Sequence, residues 1–453
     1  MSHIPTLLES MVSSAITPSG YASASASAPA PSKLLGSTSK LKFMLVSTHC
    51  QQYTGYSKVS YGIINELANI PWLSVTHFGF QKFPNMKVQE GYRPYPPNVK
   101  VIDVAPMENP LENGFGFKIL PSAIQAAQPD IVMIYNDMSV VMNFLNELDK
   151  SGLKKTFQVW VYVDQVYPTQ LKGFLDLLNL KAERIFTFTP YWKKCLKDQG
   201  VTRPMDVLLH GFDSHVYTKM NRKEIRKLMN IPEDAFVFLN LNRNQPRKRY
   251  DLLVMAFVEL VVKYPTKPVH LLCICDKGDK GGWWIFEIFQ RELELRGVAF
   301  EPFSTRIMLT SADMIFPDEQ INSFYNVADA GVNSADGEGW GLCNFEQMGV
   351  GIPQVVPNLG GFKEFCNPSN SVLVEPTVRY YLPTVFSPVG GEINAMTPHD
   401  LCLGMEEYLL DSVKLAKHGE EARKTVLTYT WSRAVEPLVR RLRQAKEDIE
   451  ADA

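Results

Sequence analysis

The stretch Asp336-Gly-Glu-Gly-Trp-Gly-Leu-Cys-Asn-Phe-Glu346 follows a short apolar run, Ala330–Asn333, and leads into an amphipathic segment, Leu342–Val350. Strand, glycine-rich loop and helix in that order form the repeating unit of a parallel α/β sheet. Gly337, Gly339 and Gly341 leave little side-chain bulk in the loop. Backbone N–H groups at the helix start, backed by the helix dipole, then suit an anion such as a diphosphate. Glu338 in the loop and Glu346 about one turn into the helix are separated by seven residues. Ionised carboxylates are pure acceptors, so both suit the hydroxyls of a sugar or ribose. The plainer reading of the same letters is a surface turn with a helix-start glutamate stabilised by the dipole.

The same unit recurs on both sides. Downstream of Asp213, strands are expected at Phe236–Leu241, Val269–Cys275, Ala330–Asn333, Gln354–Val356 and Ser371–Val374, with helices at Leu252–Lys263, Trp284–Leu295, Glu319–Val327 and Leu342–Val350. Upstream, strands are expected at Phe43–Ser47, Val75–Phe80, Lys100–Val104, Ile131–Tyr135, Gln158–Val163, Arg184–Phe188 and Asp206–Leu209, and helices at Ser57–Asn69, Met138–Leu148 and Tyr191–Gln199. Near-continuous Val, Ile, Leu and Phe runs indicate strands covered on both faces. The predicted fold class is therefore α/β, with two doubly wound Rossmann-like halves facing a cleft and a C-terminal helical segment. The expected division is a tail over 1–40, a first half over 41–213, a second over 214–430, and a last helix over 431–453 that is free to cross back to the first half. Ligands of such sheets sit at the carboxyl ends of strands.

Composition narrows the classes further. The 453 residues carry 46 basic and 48 acidic side chains, a formal net charge of −2, which gives no footprint for nucleic acid. Hydrophobic residues at 45% and charged residues at 21% are ordinary for a globular chain. The 7 cysteines are odd in number and scattered, so no disulfide framework is expected and a reducing, cytoplasmic setting is. No apolar run is long enough to span a membrane. Residues 1–40, with 11 serines, 6 alanines and 4 prolines, lack the apolar content for a core. They also lack the basic start and apolar run of a secretory signal and the arginines of a transit peptide, so a flexible tail is favoured over targeting.

Two further motifs end strands. Asn242-Arg-Asn-Gln-Pro-Arg-Lys-Arg-Tyr-Asp251 places Arg243, Arg247, Lys248 and Arg249 after Phe236–Leu241, a combination suited to phosphate oxygens. Thr54-Gly-Tyr-Ser-Lys58 follows the first strand, with Gly55 permitting close approach and Ser57 able to cap the helix. Gly114-Phe-Gly116 lacks the third glycine of a dinucleotide motif. His210 and His215 have no accompanying metal-ligand cluster, and no Asp-x-Asp metal clamp occurs. Cys273 and Cys275 read as small apolar residues of a strand, and Trp283-Trp284 as core.

Together these motifs resemble the retaining family-4 glycosyltransferases of GT-B fold (glycosyl transferases group 1). The family's E-x7-E signature matches Glu338 and Glu346, and its Arg/Lys diphosphate grip matches Arg243 and Lys248. Its glycine loop matches Gly55, and its His-Gly-x-Asp matches His210-Gly-Phe-Asp213. The resemblance covers nearly all of 41–450. It implies a metal-independent, hexosyltransferase-like enzyme of the EC 2.4 class that needs no cofactor. Such an enzyme moves a sugar from a nucleotide-diphosphate-sugar, with UDP or GDP unresolved, to a hydroxyl of a glycan, lipid-linked or protein acceptor, with retention. The acceptor would lie on the first half and the donor on the second. Arg243, Lys248 and Glu338 would be catalytic. Gly55, His210, Gly339, Trp340, Gly341, Leu342, Cys343 and Glu346 would join Arg243 and Lys248 in binding donor, with Glu346 on the ribose. Many members carry histidine where Trp160-Val-Tyr-Val-Asp-Gln165 places Asp164. Asp164 thus has two readings, a sugar or acceptor contact or a helix cap, and Ser57 joins it as a candidate contact. The alternatives are a sugar-phosphate-using, phosphorylase-like enzyme of the same fold and a non-catalytic nucleotide-sugar or glycan-binding protein. Sugar, acceptor, linkage and oligomeric state have no signature in these motifs.

Overall fold

Phe43, Met44, Leu45 and Val46 are all buried in β1 (Leu41–Thr48), although they point alternately to opposite faces, so both sides of the sheet are covered. The computed structural model describes residues 39–275, 281–310, 315–383 and 390–452; the expected tail lies, up to residue 38, outside the described residues. After β1 come α1 (Gly55–Ala68), β2 (Leu73–Phe80), β3 (Lys100–Asp103), α2 (Leu120–Ala127), β4 (Ile131–Asp137) and α3 (Met138–Lys150). β5 (Gln158–Asp164), α4 (Lys172–Lys181), β6 (Arg184–Thr187), α5 (Pro190–Asp198) and β7 (Met205–Val207) complete this series. The strands form one parallel sheet in the order β3-β2-β1-β4-β5-β6-β7.

The second series runs α6 (Arg222–Leu228), β8 (Phe236–Asn240), α7 (Tyr250–Lys263), β9 (Val269–Cys273), α8 (Ile285–Leu295), β10 (Ile307–Leu309), α9 (Asp318–Val327) and β11 (Ala330–Val332). It continues with α10 (Leu342–Gly349), β12 (Gln354–Pro357), α11 (Phe362–Phe365) and β13 (Ser371–Val374). This sheet is also parallel, in the order β10-β9-β8-β11-β12-β13. β14 (Val378–Tyr381) and β15 (Glu392–Ala395) pair as a separate antiparallel ribbon. α12 (Pro398–Leu410), α13 (Ser412–Leu427) and α14 (Trp431–Ala451) end the chain. Among the described residues no helix is long and apolar enough to cross a membrane.

The expected doubly wound architecture is therefore present twice. In each sheet the strand order reverses beside the first strand of its series, between β1 and β4 and between β8 and β11. Loops leaving those strands border the crevice where α/β sheets bind ligands. One buried apolar cluster takes residues from both sheets, from Phe43 and Tyr162 to Val237 and Phe345, so the two halves share a core. α14 returns to the first sheet: the Trp431 ring lies on Gly62 and Gly211, and Arg441 grips Asp206 through Nε at 3.0 Å and Nη2 at 2.9 Å.

Three local expectations change. β10 is a three-residue edge strand, too short to leave a periodic signal, and the β14–β15 ribbon is likewise absent from the sequence reading. Trp284 is 62% exposed, not core. The buried stripe of α8 is Ile285, Phe289 and Leu293, and Trp284 precedes it. The cap of α1 is Thr54, whose Oγ1 accepts from the Ser57 N–H at 3.3 Å while Ser57 Oγ accepts from the Thr54 N–H at 3.1 Å.

Candidate active site

The loops after β1, β8 and β11 and the last residue of β5 enclose a cavity of about 240 Å³ between the sheets. The loop after β11 is pinned at its start, where the hydroxyls of Tyr167 and Tyr380 donate to Asp336 at 3.2 and 3.1 Å. A Cβ on Gly339 would lie 1.8 Å from Asp164 Oδ1, so this glycine admits the opposite half of the molecule rather than an anion. Gly341 has φ +90° and caps α10 without a side-chain hydrogen bond, which leaves the amides of the first turn uncommitted to any cap. Leu342 and Cys343 of that turn, with Trp340, line the cavity. The start of α1 meets the start of α10 there: a Cβ on Gly55 would sit 3.6 Å from Leu342 Cδ2.

The charged groups fall into two clusters. Lys248 is ion-paired to Glu338 in the buried wall, with Arg247 Nη1 3.6 Å from the same carboxylate. Burial opposes ionisation of Glu338, but Lys248 and Arg247 outweigh it and hold its carboxyl below the ordinary range. Arg243 lies exposed at the cavity rim and forms no ion pair among the described residues. In the second cluster Lys58 Nζ reaches both Glu346 oxygens, at 2.9 and 2.8 Å, and the Tyr325 hydroxyl donates to Glu346 Oε2 at 2.6 Å. Beside it Arg93 forms a fork with Asp318, Nε to Oδ2 at 2.9 Å and Nη2 to Oδ1 at 2.8 Å. Both pairs join a group from the first series to one from the second.

Between the clusters lie groups with spare hydrogen-bonding capacity. The Tyr56 hydroxyl donates to Asp164 Oδ2 at 2.7 Å, whereas buried Asp164 Oδ1 has no partner. Burial pushes the Asp164 carboxyl up to about 6, against the Tyr56 hydrogen bond. Neither ring nitrogen of His210 has a partner, and the ring packs against Phe188 at 4.5 Å and Trp340 at 4.8 Å. Burial lowers its pKa to about 3, so the imidazole is neutral near pH 7. Trp340 Nε1 is also unpartnered. Ser57 is occupied: its hydroxyl donates to Thr54 O at 2.7 Å and accepts from Arg93 Nη1 at 2.8 Å, away from free space.

The fold therefore gathers Gly55, Asp164, His210, Arg243, Lys248, Glu338 and Trp340–Cys343 on one cavity. Glu346 stands immediately behind it, through Lys58. In the sequence Tyr56 and Lys58 stand in the Thr54–Lys58 motif without a task, and Arg93, Tyr217, Asp318 and Tyr325 belong to no motif. Among the described residues no group of three metal-ligating side chains occurs.

Sucrose-phosphate synthase from Thermosynechococcus elongatus superposes over 91% of this chain and 100% of its own, with TM-score 0.67 and 15% identity. This chain therefore has a GT-B-like fold. Anabaena HepE, solved in complex with UDP and glucose, matches 89% of this chain and all of its own, with TM-score 0.65 and 14% identity. By sequence this chain is 24% identical over 191 residues to the D-inositol 3-phosphate glycosyltransferase of Streptosporangium roseum. That match covers 40% of this chain and 41% of the relative, so it spans well under half the length of either. No protein-family model matches the chain.

Proposed function

We propose that this chain is a retaining, metal-independent glycosyltransferase of the family-4 type, with the nucleotide-sugar on the second half and the acceptor on the first. The observation that carries the reading is the convergence on one cavity of three elements. These are an uncapped helix start, the cations Arg243 and Lys248, and a set of buried hydrogen-bonding groups without partners. The amides of Leu342 and Cys343 would meet the diphosphate, and Glu346 the ribose. Arg243 and Lys248 would stabilise negative charge growing on the leaving phosphate, an interaction stronger in the transition state than in the ground state. Glu338, kept ionised by Lys248 and Arg247, would accept from donor-sugar hydroxyls. Asp164 Oδ1, His210 and Trp340 Nε1, which have no partner within the protein, would serve the remaining hydroxyls of sugar and acceptor. Retention fits same-face attack, in which the leaving phosphate takes the acceptor proton. Cys50, Cys273, Cys366 and Cys402 are buried thiols outside any disulfide, which suits a reducing, cytoplasmic setting.

UDP-glucose is the first donor to test, because HepE was solved with UDP and glucose. The experiment is a melting-shift screen with UDP, GDP, ADP and their hexose conjugates, followed by assay of slow donor hydrolysis. A ligand at 100 times its Kd should stabilise the fold by about 2.7 kcal/mol. Absence of a shift with every nucleotide refutes the reading. A shift without turnover of any donor makes the protein a binder.

A further inference from the structure

Lys58 stands on α1 of the first half, yet it engages the carboxylate of α10 that the proposed ribose needs. Its Nζ lies 2.9 and 2.8 Å from the two oxygens of Glu346 and also donates to the Tyr217 hydroxyl. Both side chains are largely shielded, Lys58 18% and Glu346 5% exposed, so this is not a solvated surface pair. A carboxylate has about four acceptor positions, of which Lys58 and Tyr325 fill three. One is left over, which would serve a ribose hydroxyl, and it accepts most strongly while Glu346 is ionised.

We infer that Lys58 is a positioning residue of the donor site, lending its charge across the cleft so that Glu346 stays an acceptor and grips the ribose when the two halves are closed. This rests on the proposed contact between Glu346 and the ribose.

The surroundings of Glu346 leave Lys58 without a substitute. α9 presents Tyr325 and Asp318, the segment before α6 presents Tyr217, and α10 itself contributes Cys343. None of these is a cation, and Asp318 opposes ionisation. Arg93, the next positive group, is committed to Asp318 and to backbone oxygens of Cys50 and Gln52. Burial keeps the Glu346 carboxyl above the ordinary range even with Lys58 in contact. Without Lys58 the largest influence favouring ionisation is gone, so the carboxyl rises further, and where it holds a proton one oxygen turns from acceptor to donor. A raised carboxyl pKa means the proton leaves again as pH increases, so the defect must fade in alkali.

The test is calorimetric binding, from about pH 6 to pH 9, of whichever of UDP, GDP and ADP binds the wild-type full chain best. The proteins are wild type, Lys58→Met and Lys58→Arg. Taking the ratio of variant to wild-type Kd at each pH removes the titration of the nucleotide. Lys58→Met should weaken binding about tenfold or more at the acid end, the loss expected for one charge-assisted hydrogen bond, and approach wild type at the alkaline end. Lys58→Arg should stay close to wild type throughout. The inference is overturned if Lys58→Met binds as wild type, if its deficit is the same at every pH, or if Lys58→Arg does no better. Should Lys58→Met lack a cooperative melt, Lys58→Gln is measured by the same criteria. If none of the nucleotides binds wild type, the donor-site reading itself falls, and this inference falls with it.

Discussion

Substituting Lys248→Met separates what the buried Lys248–Glu338 pair does for the fold from what it does for the reaction. The two side chains are 7% and 10% exposed, so the change strands a carboxylate in the wall of the cavity. Breaking a buried pair by removing one partner costs about 3–5 kcal/mol. Arg247, 3.6 Å from the same carboxylate, remains, which places the loss at the lower end, about 3 kcal/mol. For a domain of about 200 residues that is a fall in Tm of roughly 6–12 °C, readable by calorimetry. The double variant Lys248→Met/Glu338→Gln removes the stranded charge and should recover most of that Tm. Transfer should nevertheless remain at least about 100-fold down, because the charge-stabilising amine is missing from the transition state. A pH arm adds a sign. Glu338 is held low in the folded protein, so its pair contributes stability above the unfolded carboxylate value and loses it as pH falls through the lower folded value. That acid limb should shrink in both variants. Equal melting of wild type and the single variant would refute the stability argument. Recovery of activity together with stability in the double variant would refute a phosphate role for Lys248.

Activity should rise with pH through about 6 as Asp164 ionises, and Asp164→Asn should abolish that step in the pH profile; an unchanged profile removes Asp164 from the chemistry. Gly339→Ala would bring a methyl to 1.8 Å from Asp164 Oδ1, forcing the loop to shift by more than 1 Å. Displacements of that size cost about 100-fold in rate, so a kcat/KM near wild type would mean the loop is not part of the reacting geometry. Excess chelator should leave the transfer rate unchanged, and strong inhibition contradicts the metal-independent reading.

Both sheets were legible because runs such as Phe43–Val46 and Ile131–Tyr135 in the first and Phe236–Leu239 in the second have no polar face, which only a strand covered on both sides permits. Glu338, Glu346, Arg243 and Lys248 were legible for a local reason: each sits in a loop or close to a helix start whose neighbours announce it. Lys58 with Glu346 and Arg93 with Asp318 were not. Their partners are 288 and 225 residues apart, and nothing in the flanking letters of either member records the other. Arg93, at φ +43° in an irregular loop, gives no pattern at all. Gly339 was visible, but its reason was not, since the atom it makes room for belongs to β5.

The return of α14 bears on how the cleft can move. The chain passes between the halves after β7 and again before α14, and the two passages lie side by side, Phe212 N–H donating to Tyr429 O at 2.7 Å. Two adjacent straps behave like the leaves of a door hinge. Rotation about the line they share bends both together, whereas twisting or sliding shears the bond between them. A chain cut before Trp431 would keep every side chain of the cavity and lose one leaf. A one-axis swing would lose that constraint, and the alignment that carries Lys58 onto Glu346 would rest on the shared core and the Arg93–Asp318 fork.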